Sequence, residues 1–202
     1  MIDDAFRGVL PRVSGGLIRL YERLGLSPNQ LSFIGFGLGV MAALAVALGW
    51  NAAAIGLWWL GRLFDGTDGI YARATDRATP FGAYLDIVLD MAAYSAMIVG
   101  FVVARPDLSL QWLCVLLLYV LCITSALALG MQEKAQGFAP RDDRGLRLGA
   151  GLAEGGETGI AYTLFLLLPA ELPLLVHVWI AVLLTTVIAR SLLAHRMLSA
   201  ER

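Results

Sequence analysis

Five aspartates stand between residues 65 and 90, in the run "DGTDGIYARATDRATPFGAYLDIVLD". Apolar sequence flanks them, "NAAAIGLWWLGRLF" before and "MAAYSAMIVGFVVA" after. Carboxylates at membrane depth are costly, and where they occur they mark function by default. On helices Asp65 and Asp68 stand at i, i+3 and Asp86 and Asp90 at i, i+4, so each pair shares one helix face. A turn between the two segments lets the pairs converge. Four carboxylates in a low dielectric repel one another strongly, and divalent cations remove that repulsion. Hard oxygen donors suit Mg²⁺ or Mn²⁺. The absence of a His or Cys cluster argues against zinc, and the alternating D-x-D-x-D-G spacing of an EF-hand is missing. Gly66, Gly69 and Gly82 allow close backbone approach, and Arg73 is a candidate clamp for phosphate. Cation, arginine and glycines together point to a diphosphate-containing substrate. The plainer alternative is that the acids merely pair with Arg62, Arg73 and Arg77.

The elements that position these residues are membrane spans. The chain has 202 residues, 58% of them hydrophobic, against about 45–50% apolar in soluble domains. A helix of about 20 residues crosses the hydrocarbon core, so the length admits about six spans and little else. Apolar runs fall near 31–49, 52–70, 82–104, 110–131, 150–169 and 174–195. The second is the weakest, because its last turn enters the acidic stretch. Cation placement tests this topology. Arg7, Arg12, Arg19 and Arg23 precede the first run; Arg62, Arg73 and Arg77 flank the second connection; Lys134, Arg141, Arg144 and Arg147 fill the fourth; Arg190, Arg196 and Arg202 close the chain. All lie on one side of a six-span topology, and only Arg105 on the other. Both termini and the acidic stretch are therefore expected on the cytoplasmic side. Residues 10–24, "LPRVSGGLIRLYERL", carry apolar residues at helical spacing with arginines on other faces, which fits a helix lying in the membrane interface. The N-terminus lacks a continuous apolar core, so no cleaved signal peptide is expected.

The acidic run reads D-x2-D-G-x2-A-R-x8-G-x3-D-x3-D from Asp65 to Asp90, with every fixed position filled. It resembles the signature of the CDP-alcohol phosphatidyltransferase family. The resemblance extends to six helices, an N-terminal interfacial helix and "SPNQLS" at the entry to the first span. It is similar in particular to a bacterial subgroup that carries "GAYLDIVLD" and a fifth helix opening like "GLAEGGET". The fold it implies is an all-α integral membrane protein, one catalytic domain over residues 1–202. The activity it implies is transfer of phosphatidyl from CDP-diacylglycerol to an alcohol, with release of CMP. Asp65, Asp68 and Asp86 resemble the family's metal ligands, Asp90 shares a second metal and matches the position proposed as general base, and two Mg²⁺ or Mn²⁺ ions per site follow. Gly69, Arg73 and Thr79 resemble contacts to the CDP moiety, and Ser27, Pro28, Asn29 and Gln30 occupy the substrate-contacting entry turn. Asp76 is not a motif position and reads as a solvated loop charge. Homodimers in the bacterial inner membrane are implied, and no nucleic-acid partner.

The acceptor alcohol is written less plainly. Lys134, Arg141, Arg144 and Arg147 would suit a phosphorylated acceptor such as glycerol 3-phosphate, or serve only as topology signals. Glu154 and Glu157, at i, i+3, could hold an acceptor amine or hydroxyls, or pair with Arg144 and Arg147. His177 and His195 stand alone and read as structural or interfacial. Gly35 and Gly39 form a G-x-x-x-G pair, fit for close helix packing within the chain or between chains. Trp50, Trp58 and Trp59 read as interface anchors, or, for the last two, as residues placed deeper. Cys114 and Cys122, about 12 Å apart along a helix, are too far apart to bridge. From another class, a divalent-cation transporter could use the same aspartates, but it should hold its acids near mid-bilayer with access from both sides. An inactive scaffold is disfavoured by the intact motif.

Overall fold

The computed structural model describes residues 15–137 and 155–199. Among them every regular element is helical: α1 (Gly15–Arg23), α2 (Pro28–Ala47), α3 (Asn51–Ala74), α4 (Pro80–Ala104), a 3-10 turn (Pro106–Leu108), α5 (Ser109–Ala135), α6 (Gly155–Leu167) and α7 (Leu172–Ser199). Among the described residues, four helical segments are long and apolar enough to cross a membrane: α2, α4, Pro106–Ala135 and α7. The other two expected spans differ from these for separate reasons. α3 has 24 residues but carries Arg62, Asp65, Asp68 and Arg73, and it continues to Ala74 rather than ending at 70. α6 has 13 residues, and the start of the fifth apolar run lies outside the described residues.

Local sequence sets the helix ends. Ser27 opens α2 with a capping box: the Gln30 N–H donates to Ser27 Oγ at 3.3 Å, and the Ser27 N–H donates to Gln30 Oε1 at 2.8 Å. Pro28 follows, where its missing N–H costs nothing. Thr79 and Pro80 repeat the device at α4, with the Gly82 N–H donating to Thr79 Oγ1 at 3.0 Å. α3 stops where Asp76 adopts φ 54° and the Arg77 N–H reaches back to the Ala72 carbonyl at 2.8 Å. That is a left-handed helix stop with Asp in the place usually taken by Gly. The loop charge at Asp76 is thus exposed, as expected, and also shapes the turn between the two acidic helices.

The chain divides into two compact units, Met1–Asp107 and Leu108–Arg202. In the first, α2 packs on both α3 and α4. In lipid, apolar surface gives little force between spans, so close backbone approach must hold them. A Cβ at Gly35 would stand 3.0 Å from the Gly61 carbonyl oxygen, and one at Gly39 would stand 3.1 Å from Ala93 Cβ. The G-x-x-x-G pair is therefore used inside the chain, Gly35 against α3 and Gly39 against α4. α1 docks through Tyr21, which is buried with Leu31 and Tyr71 and flanked by Leu17, Ile18 and Phe64. Its hydroxyl lies 3.0 Å from Thr67 Oγ1, while Leu20 and Leu24 stay exposed. Residues 10–14 of the expected interfacial helix lie outside the described residues. Trp58 is buried and Trp50 exposed, which separates a packing residue from one suited to anchoring.

In the second unit α7 packs on α5 and on α6. Trp179 Nε1 donates to Tyr119 Oη at 3.1 Å, and Tyr119 donates to Tyr162 Oη at 3.0 Å. Buried Arg190 donates to the Cys122 carbonyl at 2.5 Å and to Ser125 Oγ at 3.2 Å. Cys114 and Cys122 are not joined in a disulfide. Among the described residues, His177 and His195 make local contacts, with the Pro173 carbonyl and with Ser199 Oγ. Arg105, the one cation on the far side of the expected topology, is matched by Asp107 through two hydrogen bonds of 2.9 and 2.8 Å.

Candidate active site

The Gly35–Gly61 seam fixes how α3 meets α2, and one turn beyond Gly61 it delivers Asp65. Gly35 also faces the Asp65 backbone, 3.3 Å from its N to a Cβ built at Gly35. α4 brings Asp86 from the other side of the turn. One carboxylate oxygen from each of Asp65, Asp68 and Asp86 lies within 4.8 Å of the others. Asp68 is buried. It accepts hydrogen bonds from the Ser32 hydroxyl and, at 2.5 Å, from the Gly69 N–H. Each like-charged carboxylate pair at 4 Å costs about 4 kcal/mol at an effective dielectric of 20. A hard divalent cation offsets that cost, and an all-oxygen donor set from two helices fits one.

Asp90 does not join that trio. Its carboxylate takes the guanidinium of Arg62, which also lies 3.3 Å from Asp65 Oδ2 and donates to Tyr94 Oη at 3.3 Å. Arg62 is held from its faces as well, its central carbon 4.8 Å from the Trp58 ring and 5.2 Å from the Tyr94 ring. The sequence offers Arg62 as a flanking cation and as one of three arginines that could pair with the acids. Its place three residues before Asp65 is the signal, since that spacing shares a helix face. Ser32 has a similar signal, four residues into the helix that Ser27 caps.

The other expected contacts cluster only in part. A Cβ at Gly69 would meet Arg73 Nη1 at 3.4 Å, so the Arg73 guanidinium lies over Gly69. Thr79 Oγ1 and Asn29 Oδ1 each lie 3.3 Å from the same built position at Gly82. The entry turn of α2 and the start of α4 therefore adjoin. Ser27 and Gln30 are engaged in the capping box, and Pro28 opens the helix. Lys134 is exposed near the end of α5, and Glu157 is half-buried in the first turn of α6. Arg141, Arg144 and Glu154 lie outside the described residues.

The CDP-alcohol phosphatidyltransferase family model matches residues 26–188. The chain belongs to that family. It is therefore a membrane transferase of phospholipid synthesis that moves a phosphatidyl-type group from a CDP-lipid to an alcohol. Membership favours the enzyme reading of the chain over the transporter one. The chain is 35% identical to Inner membrane protein YnjF of Escherichia coli over 159 residues, 76% of this chain and 75% of that one. It is 33% identical to the phosphatidylinositol phosphate synthase of Mycobacteroides abscessus over 100 residues, 48% of this chain and 44% of that one. Its fold resembles that of the phosphatidylinositol phosphate synthase of Mycobacterium tuberculosis, solved with CDP-DAG bound. The TM-score is 0.67 at 20% identity, over 91% of this chain and 94% of that one. A structure of the same synthase in complex with manganese and citrate gives a TM-score of 0.65 at 20% identity, over 90% of this chain and 88% of that one.

Proposed function

We propose that the chain transfers phosphatidyl from CDP-diacylglycerol to a phosphorylated alcohol, glycerol 3-phosphate first among them, and releases CMP. Mg²⁺ is the proposed ion, held by Asp65, Asp68 and Asp86. The observation that carries this reading is the convergence of those three carboxylates in a chain of this family. When bound, such an ion supplies charge neutralisation to a diphosphate. Arg73, lying over Gly69, grips the diphosphate oxygens, and the missing side chain at Gly69 gives them room. Asn29 and Thr79, beside Gly82, face the CDP moiety together with Ser27, Pro28 and Gln30. Asp90 takes the proton of the acceptor hydroxyl. The acceptor oxygen then attacks the phosphorus that carries diacylglycerol, the bond from that phosphorus to the bridging oxygen breaks, and CMP leaves with the electron pair.

A phosphorylated acceptor is supported by charge. An anionic acceptor approaching an anionic donor is helped by fixed cations, and Lys134, Arg141 and Arg144 are the proposed ones. Glu154 and Glu157 are proposed to hold hydroxyls. The names of the synthases that the chain resembles point to a different phosphorylated alcohol, inositol phosphate. The shared chemistry is a phosphomonoester beside a free hydroxyl. The proposed setting is a bacterial inner membrane, with six spans, α1 in the interface, termini and site cytoplasmic, residues 1–202 acting as one catalytic domain, and a homodimer as the unit. The cation bias and the name of the E. coli relative support that setting. The test is a panel of alcohols with CDP-diacylglycerol and purified protein, scored by lipid product. Product from glycerol 3-phosphate or inositol phosphate is expected. Robust product from serine or free inositol, with none from either phosphomonoester, overturns the acceptor assignment.

A further inference from the structure

We propose that Tyr71 is a positioning residue for the donor: its hydroxyl holds the two walls of the nucleotide edge in register, and so sets affinity for the CDP-lipid without touching it. This rests on the reading of residues 27–30 and 79–82 as that edge, and it deepens that reading by naming what holds the edge in place. Tyr71 stands on α3 one turn beyond Asp68 and is fully buried. It packs with Tyr21 and Leu31 and meets the Tyr21 ring edge-on, with centroids 5.7 Å apart. Its hydroxyl donates to the Leu26 carbonyl at 3.0 Å and accepts from Arg77 Nη1 at 3.4 Å. A tyrosine hydroxyl has one proton to give and a guanidinium only donates, so the direction of both bonds is fixed.

Leu26 is the residue before the entry turn. α1 stops at Gly25, with φ 65°, in a Schellman turn: the Leu26 N–H donates to the Tyr21 carbonyl and the Gly25 N–H to the Glu22 carbonyl, each at 3.0 Å. Ser27 then caps α2. The linker 24–27 is thus bonded to the helices on both sides of it, and Tyr71 ties it across to α3. A carbonyl shielded from water needs such a partner. Arg77 brings in the second wall. It follows the left-handed Asp76 and stands two residues before Thr79. Thr79 and Asn29 both adjoin Gly82. The Tyr71 hydroxyl therefore links the turn ahead of Asn29, the helix that carries Asp65 and Asp68, and the turn ahead of Thr79. The Leu26 bond is the shorter of the two, so the entry turn depends on it more. Loosening a contact made equally in the ground and transition states raises KM and leaves kcat alone.

The test measures the Kd and stoichiometry of CDP-diacylglycerol binding, with Mg²⁺, by calorimetry on the purified full-length chain in detergent. CMP release with glycerol 3-phosphate and with inositol phosphate adds KM and kcat. Tyr71→Phe keeps the ring and removes the hydroxyl. It should raise the donor Kd and the donor KM about 3–10-fold, the scale of one hydrogen bond, with kcat and Mn²⁺ affinity unchanged. A merely structural role would lower the melting temperature, the binding stoichiometry and kcat with the donor Kd unmoved, and that result overturns the inference. Asn29→Ala is the reference for the edge itself. If it raises the donor Kd while Tyr71→Phe does not, the inference falls and the donor reading stands. If neither raises it, both fall. Should Tyr71→Phe fail to fold, Arg77→Met decides: a rise in the donor Kd of about 2–3-fold is expected for the longer, weaker bond, and an unchanged Kd overturns the inference.

Discussion

Gly61 meets Gly35 backbone to backbone: a Cβ placed at Gly61 would lie 2.9 Å from the Gly35 carbonyl oxygen. No side chain fits there, and the seam leads directly to Asp65. Gly61→Leu should force α2 and α3 apart, at a cost of about 1–3 kcal/mol. It should lower Mn²⁺ affinity and turnover together, because Asp65 moves with the seam. Gly37→Ala, where a Cβ meets nothing within 4 Å, should leave both unchanged. Thermal unfolding in detergent and a Mn²⁺ titration measure the two effects.

Ser32 should prove to be a partner of the metal site although it touches no substrate. Its hydroxyl donates to the buried Asp68 carboxylate. Removing such an orienting bond costs about 10–100-fold in metal affinity. Ser32→Ala should weaken Mn²⁺ binding on that scale, and Ser32→Thr should recover part of it. Unchanged affinity in Ser32→Ala would count against the placement of Asp68 in the site.

Tyr21 ties the interfacial helix to the acidic one. Tyr21→Phe removes only the bond to Thr67 and should cost about 0.5–1.5 kcal/mol. Tyr21→Ala also removes a ring packed on Phe64 and Tyr71 and should cost about 3–5 kcal/mol. The order of the two melting temperatures checks this. Equal losses would mean that the ring does not hold α1.

Much of this was legible in the sequence, and the rest was hidden for physical reasons. The apolar runs located the helices because lipid demands long uninterrupted spans. The i, i+3 spacing of Asp65 and Asp68 foretold one shared face, and the glycine pair foretold close packing. The family resemblance sets Asp90 at a second metal and as general base, but i, i+4 spacing alone puts it on the face of Asp86 without saying which cation it meets. Arg62 supplied that cation from another helix, and such long-range pairing leaves no mark in local periodicity. The end of α3 was set short at 70 because its charged turn reads as a boundary, whereas the backbone continues to Ala74 and stops only at the left-handed Asp76. The partners of Ser27 and Gln30 were missed as well, although S-x-x-Q before an apolar run is a capping-box pattern. The two residues were read instead through substrate contact.

The central claim is that the aspartates carry a metal-dependent transfer from CDP-diacylglycerol. The most direct measurement is CMP release by purified protein given CDP-diacylglycerol, a phosphorylated alcohol and Mg²⁺, with EDTA as control. Asp65→Ala, Asp68→Ala and Asp86→Ala are assayed beside it. The account predicts CMP in step with new lipid, abolished by EDTA, and lower by at least about 10²-fold in each variant. CMP release that survives EDTA, or normal turnover in any one of the three variants, would contradict it.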